Sequence, residues 1–357
     1  MVHGCRHHRR MRIAPKGNTS CSTDLVKPLV SILIPAYNSQ AWIADTIRSA
    51  TDQTWGRKEI IIVDDGSTDE TPEVAAQFAS ENVLIRVQEN EGASAARNTA
   101  FSLSQGDYIQ WLDADDLLAP DKIERQMAVA EDTASKRTLF SSEWCTFMYR
   151  HQKARCAPTA LWCDLAPTEW LRRKMADNLW MQTSVWLTSR ELAAEAGPWD
   201  VRLRKDNDGE YFGRVMLASD LVRFVPGART YYRVHPESLS YVGRSNTKLE
   251  SLFLSMQLHI QYLLSMEDSE QTRAAGVRLL QNNLVFFCPD RPDLVEQMER
   301  LAVDLGGELN PIRLSWKYTW IQKLFGWEPA KRAQVLAPRL KASMLASWDR
   351  ALFRMGR

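Results

Sequence analysis

The stretch from Tyr108 to Asp121, YIQWLDADDLLAPD, constrains the fold more than any other part of the sequence. An apolar, β-prone run ends there in three carboxylates, Asp113, Asp115 and Asp116. Like charges within a few ångströms raise each other's pKa values and destabilise a fold, unless a divalent cation or several donors keep them ionised. Since Mg²⁺ and Mn²⁺ prefer carboxylate oxygens, the pattern predicts a cation site at the end of a buried strand.

The alternative interpretation is that these carboxylates cap the helix that follows. Asp is favoured at helix N-caps, and proline is favoured in a first helical turn. We expect Asp116 and Asp121 to act only in this way. Asp113 and Asp115 are expected to be functional, because a second carboxylate pair upstream has the same placement after a strand.

Apolar runs and helical spacings alternate through the first third of the chain. This alternation predicts a doubly wound parallel sheet, which binds ligands beyond the carboxyl ends of its strands. The predicted strands are LVSILIPAYN from Leu29, Glu59–Val63, Val83–Gln88 and Tyr108–Leu112. Polar candidates follow three of them: Pro35, Tyr37 and Asn38 the first, Asp64 and Asp65 the second, and Asp113 and Asp115 the fourth.

The sequence lacks the motifs that mark several classes of enzyme. There is no GxGxxG after the first strand, no GxxxxGK[ST] and no GxSxG, so a dinucleotide oxidoreductase, a P-loop enzyme and a serine hydrolase are not favoured. A net charge of +1 argues against binding to nucleic acid.

The motifs together resemble the family-2 glycosyltransferases of GT-A fold. The matching stretches are VSILIPAYN, IIIVDDGSTDET, NEGASAARN, GDYIQWLDADD, AGPWDVRLRKDNDGEYFGRVMLAS and YYRVH, within residues 29–240. The resemblance implies an α/β fold with a Rossmann-like mixed sheet flanked by helices. It also implies inverting transfer, dependent on Mn²⁺ or Mg²⁺, from a nucleotide-diphosphate sugar, most often a UDP-sugar, to a hydroxyl of a glycan or lipid-linked saccharide.

The resemblance assigns a nucleoside pocket to the ends of the first two strands. By this analogy Pro35, Tyr37 and Asn38 line the pocket, with Tyr37 able to stack on the base. Asp65 would accept a hydrogen bond from the base imide, with Asp64 beside it.

The diphosphate and the metal are assigned to later motifs. Arg97 matches an arginine expected near the base and phosphates. Asp113, Ala114 and Asp115 match the DxD signature, in which Asp115 chelates the metal and Asp113 faces the ribose or the ion.

The YYRVH motif supplies two further candidates. The resemblance brings Arg233 towards the diphosphate and His235 towards the metal. A histidine after a strand is also commonly structural, and this alternative stays open for both residues.

The catalytic base is expected in RLRKDNDGEYFGRV, which contains Asp206, Asp208 and Glu210. Asp208 aligns with the family's base, whereas Asn207 stands where the family usually has a glutamate. The alternative is that Asp208 only caps the following helix.

The acceptor cleft is assigned to the segment after Asn178. Trp180, Gln182, Thr183 and Ser184 are candidate acceptor contacts by resemblance, and Met181–Leu187 is predicted to be a strand. Aromatic faces suit sugars, but core packing is the common alternative for a tryptophan in a strand.

The predicted organisation has three parts: a disordered basic tail (residues 1–27), a GT-A catalytic domain (28–245) and a helical region (246–357). From residue 311 the helical region is basic and rich in tryptophan. An amphipathic segment of this kind favours contact with an anionic membrane, and equally favours docking on its own domain or a partner.

The six cysteines show no CxxC pair and are interpreted as reduced packing residues. With no secretory signal and no apolar run of membrane-spanning length, this predicts a cytoplasmic protein that is peripheral at most, on the inner face of the membrane. The rival functions are a nucleotidylyltransferase on a similar fold and a non-catalytic sugar-nucleotide or glycan-binding protein.

Overall fold

The computed structural model describes residues 27–235, 245–312 and 315–355, so the predicted N-terminal tail lies outside the described residues except for Lys27. The described strands form one mixed sheet in the order β3-β2-β1-β4-β8-β6-β9-β5, with β7 paired to β6. The strands are β1 Val30–Ala36, β2 Lys58–Asp64, β3 Val83–Val87, β4 Tyr108–Trp111, β5 Leu117–Leu118, β6 Thr138–Phe147, β7 Arg155–Cys156, β8 Leu187–Ser189 and β9 Leu221–Arg233.

The first four strands make the parallel half of the sheet. β1 is paired in parallel with β2 on one side and with β4 on the other, so the carboxyl ends of all three reach one rim. Apolar side chains of β1 are buried on both faces, as expected for a strand covered by helices on both sides. The predicted strands are therefore confirmed here, and the rim carries the candidate residues.

The other half of the sheet is mixed and departs from the sequence expectations. The predicted strand Met181–Leu187 is wrong: Thr183–Val185 form a 3₁₀ turn and β8 begins only at Leu187. The Gln182 side chain accepts a hydrogen bond from Ser184 N–H, and this local bond closes the turn. The sheet as a whole is the mixed α/β arrangement that was predicted.

Helices cover both faces of the sheet and continue beyond it. Those described are α1 Ile43–Thr51, α2 Thr71–Ala76, α3 Ala93–Leu103, α4 Lys122–Glu131, α5 Pro167–Ala176, α6 Arg190–Ala196, α7 Asn207–Ala218, α8 Asn246–Met266, α9 Glu270–Phe287, α10 Pro292–Asp304, α11 Thr319–Phe325 and α12 Trp327–Met355. One hydrophobic core joins sheet residues such as Trp111 to Leu263 and Leu280 of the C-terminal helices. The predicted domain boundary at residue 245 adjoins the undescribed residues 236–244 and stays a prediction.

The interpretation of the cysteines as reduced is wrong for one pair. Cys145 on β6 lies opposite Cys156 on β7, and the two are joined by a disulfide. The short antiparallel pairing brings their Cα atoms to 4.0 Å, which no sequence spacing revealed. Cys163 and Cys288 are free, and the sequence-based argument from cysteines to a reducing compartment loses its basis.

No helix among the described residues is both long enough and apolar enough to cross a bilayer.

Candidate active site

The loop after β1 is held by the loop after β2. Asn38 has a positive φ of 47°, which is unusual outside glycine, and its Oδ1 accepts a hydrogen bond from Thr68 N–H at 2.8 Å. Pro35 is partly buried at the end of the strand, while Tyr37 is 47% exposed beside it. The exposed ring of Tyr37 is free to meet a planar ligand, whereas Asn38 fixes the shape of the loop.

The two carboxylates after β2 are buried and serve their own loops. Asp64 accepts hydrogen bonds from the N–H and the hydroxyl of Ser67. Asp65 accepts from the Glu91 N–H at 3.0 Å and from the Gly92 N–H at 2.8 Å, which fastens the loop that leads into α3. Both side chains thus hold the loops at which the nucleoside pocket is predicted, and a direct contact of Asp65 with a base stays a prediction.

Asp113 and Arg97 form the first charged pair of the rim. Arg97 on α3 donates from Nη2 to Asp113 Oδ1 at 2.7 Å, and its guanidinium lies 4.4 Å from the ring centroid of Trp199. Arg97 is only 6% exposed, yet its Nε and Nη1 have no hydrogen-bond partner among the described residues. Buried donors of this kind are normally satisfied, so the arrangement suits an anionic ligand.

Asp115 and His235 form the second pair. His235 Nε2 lies 2.8 Å from Asp115 Oδ2, and the His235 ring packs 5.6 Å from that of Trp42. The Nδ1 atom of His235 is buried without a partner among the described residues. Between the two aspartates, the carbonyl of Ala114 accepts a hydrogen bond from Thr46 Oγ1 at 2.9 Å, which holds the loop against α1.

Arg233 attaches the acidic loop, residues 113–116, to the end of β9. Its Nε donates to the carbonyl oxygen of Asp115 at 2.7 Å, and its guanidinium lies between the rings of Trp42 and Phe147, 4.4 and 4.5 Å from their centroids. Arg233 is 2% exposed and burial lowers its pKa. The structure therefore gives it a positioning role, and its predicted contact with the diphosphate stays untested.

Asp116 does not cap a helix, contrary to expectation. It is fully buried and accepts hydrogen bonds from the Arg233 N–H at 2.7 Å and from Gln182 Nε2. Burial, together with the nearby charges of Asp115 and Asp113, raises the pKa of Asp116 well above its ordinary value. Asp116 thus ties the acidic loop to β9 and to the segment before β8.

Of the three carboxylates around the start of α7, only Asp208 lacks a firm partner. Asp206 accepts from the Ser255 hydroxyl at 2.6 Å, and Glu210 is paired with Arg214 at 2.6 Å. The Asp208 carboxylate accepts a long hydrogen bond of 3.3 Å from the Thr183 hydroxyl and a further one from the backbone of Gly209.

The surroundings of Asp208 suit a base. Burial and the charges of Asp206 and Asp113 raise the pKa of Asp208, against the opposing effect of Arg97. The neighbouring Asn207 donates to Ser94 on α3 and accepts from the Asp208 N–H, so it links the backbone at the start of α7 to α3. The predicted capping role is not observed, because Asp206 occupies the N-cap position without a side-chain cap.

The residues present fit a divalent cation only in part. Asp113 and Asp115 have side chains 28% and 27% exposed, so carboxylate oxygens are available, and His235 adds an imidazole. Across the part of the chain that the structure describes, however, no group of three or more His, Cys, Asp or Glu side chains is arranged to hold a metal. One or two protein ligands together with substrate phosphates are sufficient for Mg²⁺.

Comparison with known proteins agrees with this architecture. Residues 31–180 match the family described as glycosyl transferase family 2. This segment belongs to glycosyltransferase family 2. The predicted family is confirmed for this segment.

Two curated proteins illustrate the family-2 relationship. TuaG of Bacillus subtilis, named for teichuronic acid biosynthesis, is 44% identical over 104 residues, which are 28% of this chain and 41% of TuaG. The chondroitin synthase of Escherichia coli is 44% identical over 99 residues, 27% of this chain and 14% of that protein. The chain thus spans less than half the length of these relatives.

The fold itself extends beyond the family-2 segment. The crystal structure of S. aureus TarS 1–349 in complex with UDP matches with a TM-score of 0.57 at 16% sequence identity, covering 92% of each chain. This confirms the predicted GT-A-type fold, with its helical C-terminal region, over most of the length.

The four predicted acceptor contacts differ in exposure. Trp180 is 46% exposed and its ring packs 4.3 Å from that of Trp144. Gln182, Thr183 and Ser184 are buried, so Trp180 offers the one open apolar face among the four predicted acceptor contacts.

Sequence reasoning missed two contributors to the site. Trp199 lies under Arg97, and Trp42 lies against both His235 and Arg233. Trp199 stands in the AGPWD motif, which was a usable signal, whereas Trp42 was assigned only to a helix face.

Proposed function

We propose that the chain is an inverting glycosyltransferase of cell-surface polysaccharide or glycoconjugate biosynthesis. It moves a sugar from a nucleotide diphosphate to a hydroxyl of a glycan or lipid-linked saccharide. The observation that carries the proposal is the placement of Asp208, a carboxylate of raised pKa without a cationic partner, close enough to Asp113 and Arg97 for their charges to act on it.

A UDP-sugar is the proposed donor. Structures of the fold neighbour TarS were solved with UDP and with UDP-GlcNAc. In this chain the exposed Tyr37 ring and the loops held by Asn38 and Asp65 provide a site of the right kind for a nucleoside. The unpartnered donors of Arg97 suit the diphosphate.

Asp208 performs the proton transfer in this proposal. The acceptor oxygen forms a bond with the anomeric carbon as the bond from that carbon to the β-phosphate oxygen breaks, and the acceptor proton passes to Asp208. The raised pKa makes the carboxylate a stronger base, and the hydroxyl of Thr183 orients it.

Asp113 and Asp115 are the residues whose carboxylates would hold a divalent cation together with the substrate phosphates, with His235 beside Asp115. When bound, Mn²⁺ or Mg²⁺ supplies Lewis-acid stabilisation of the charge that builds on the departing diphosphate. Arg233 and Asp116 keep the acidic loop in position from behind.

The test begins with a thermal-shift panel of nucleotide diphosphates and UDP-sugars, with Mn²⁺ and with a chelator. A nucleotide at about 100 times its Kd adds about 2.7 kcal/mol of stability. We expect UDP to stabilise the protein in the presence of Mn²⁺ and much less with the chelator. No shift with any nucleotide would contradict a nucleotide-diphosphate sugar as the donor.

The second step compares Asp208→Asn with the wild type. The variant should keep the thermal shift that the UDP-sugar produces. Its rate of UDP release, by transfer of the sugar to acceptor or water, should fall about 10²–10⁴-fold. Asp220→Asn, at an exposed position paired with Arg137, is the matched control and should keep its rate. Normal turnover by Asp208→Asn would mean that another group is the base.

A further inference from the structure

An exposed aromatic patch lies on the short helical segment before α12. Trp316, Trp320, Leu324 and Phe325 are 79%, 59%, 70% and 65% exposed. Trp316 lies in the 3₁₀ turn Trp316–Tyr318, and the other three lie on α11. Trp320 and Leu324, four residues apart on α11, share one face of that helix. Large apolar side chains clustered at the surface mark an interaction site.

The protein's own fold leaves this patch uncovered. α12 is anchored at its start by Lys331, which lies 3.9 Å from Asp290, and near its end by Asp349, which is paired with Arg150 at 2.7 Å. α11 is connected to α12 through Gly326, at a φ of 87° that glycine adopts without strain. These two ion pairs attach α12 to the rest of the fold, whereas Trp320, Leu324 and Phe325 of α11 stay exposed.

The charged residues within the sequence segment that carries the patch are all positive, and the next charge along the chain, Glu328, is paired with Arg332. Residues 311–327 contain Arg313, Lys317 and Lys323 and no Asp or Glu. Lys317 and Lys323 are exposed. Tryptophan favours the interface between lipid and water, and lysine beside it is attracted to anionic headgroups.

We infer that the aromatic patch docks on the surface of a bilayer that contains anionic lipid. The apolar side chains of α11 enter the interface while Lys317 and Lys323 contact headgroup phosphates. A peripheral contact of this kind needs no spanning helix. The inference is independent of the transfer reaction, and its test uses no activity.

The experiment is co-sedimentation of the full chain with vesicles of equimolar phosphatidylcholine and phosphatidylglycerol, and with phosphatidylcholine alone. We expect binding to the mixed vesicles only, weakened by salt. Lys317→Gln/Lys323→Gln should bind about 25-fold more weakly, since each charge near an anionic surface is worth about fivefold. Trp316→Ser/Trp320→Ser should bind about tenfold or more weakly, because buried apolar area is lost.

Matched controls are available on the neighbouring helices. Val303→Ser removes an apolar side chain that is 67% exposed on α10, and Arg278→Gln/Arg300→Gln removes two exposed charges from α9 and α10. Both should bind vesicles like the wild type. All variants change exposed positions, so their melting temperatures should match that of the wild type.

Two outcomes would overturn the inference. One is a wild-type chain that does not sediment with the mixed vesicles, or controls that lose as much binding as the patch variants. The other is an oligomer, seen by size-exclusion chromatography, that Trp316→Ser/Trp320→Ser converts to monomer without any vesicle binding, which would make the patch a contact between copies.

Discussion

At the scale of single residues, the acidic rim is built by giving each carboxylate a different partner. Asp113 has a guanidinium, Asp115 an imidazole, and Asp116 a backbone N–H and an amide. Asp208 has a hydroxyl at 3.3 Å and the backbone of Gly209. Because burial opposes ionisation, it raises the pKa values of Asp116 and Asp208. The different partners allow the four side chains to serve different purposes.

Lys122 provides a prediction at the same scale. It is fully buried at the start of α4, where its ammonium donates to Gln110 Oε1, and burial lowers its pKa well below the ordinary value. The unfolded chain therefore binds this proton more tightly than the folded one. Its burial destabilises the fold below the lowered pKa, and the penalty disappears as the pH rises towards about 10.4.

We expect Lys122→Met to raise the free energy of unfolding by about 1 kcal/mol in mildly acidic buffer, since removing a buried charge outweighs one lost hydrogen bond. The gain should shrink towards about pH 10. Urea unfolding at several pH values measures it, with the exposed Lys153→Met as control. If the variant were less stable than the wild type at every pH, the hydrogen bond of the Lys122 ammonium would outweigh the cost of burying its charge.

At the scale of elements, α12 reaches back to the active-site rim. Asp349 accepts hydrogen bonds from the Tyr149 N–H at 2.9 Å and from Arg150, and these hold its pKa below the ordinary value although burial alone would raise it. Tyr149 in turn packs 5.5 Å from Trp42, whose ring lies 5.6 Å from His235. A contact near the C-terminus is thus linked by packed rings to a predicted metal ligand.

Asp349→Ala should cost about 1–3 kcal/mol of stability, because the Tyr149 N–H and the Arg150 guanidinium lose their acceptor. It should also weaken the Mn²⁺-dependent stabilisation by UDP. Thermal melting with and without UDP measures both effects. Asp268→Ala, which removes an exposed pair with Arg273, is the control and should change neither. Unaltered UDP stabilisation in Asp349→Ala would show that the α12 contact does not influence UDP binding.

At the scale of the whole molecule, the sheet and the C-terminal helices share one core. Trp111 and Ile61 of the sheet belong to the same buried cluster as Leu280 and Phe287 of α9. Because neither part buries its apolar surface alone, we expect a single cooperative unfolding transition.

Leu280→Ala, at a fully buried position of α9, should lower stability by about 2–5 kcal/mol and shift the whole transition. Far-UV circular dichroism and tryptophan fluorescence should give coincident curves in urea. Two separated transitions, of which only one moves in the variant, would show instead that residues 246–357 unfold as an independent domain.

The sequence by itself determined the parallel half of the sheet and the rim. β1, β2 and β4 are continuous apolar runs, whose period and length depend on local chemistry, and Asp65, Asp113 and Asp208 follow from short motifs. Their placement is predictable because the carboxyl ends of adjacent parallel strands meet at one edge.

Only the tertiary structure decided which groups face each other over long separations. The pairing of Asp115 with His235, the burial of Asp116 against Gln182 and the Cys145–Cys156 disulfide join segments whose distance along the chain carries no signal. The sequence also does not tell α11 and α12 apart, because both are basic and contain tryptophan. Whether an amphipathic helix is covered depends on what the rest of the fold places against it, and here α12 is anchored and the face of α11 is left open.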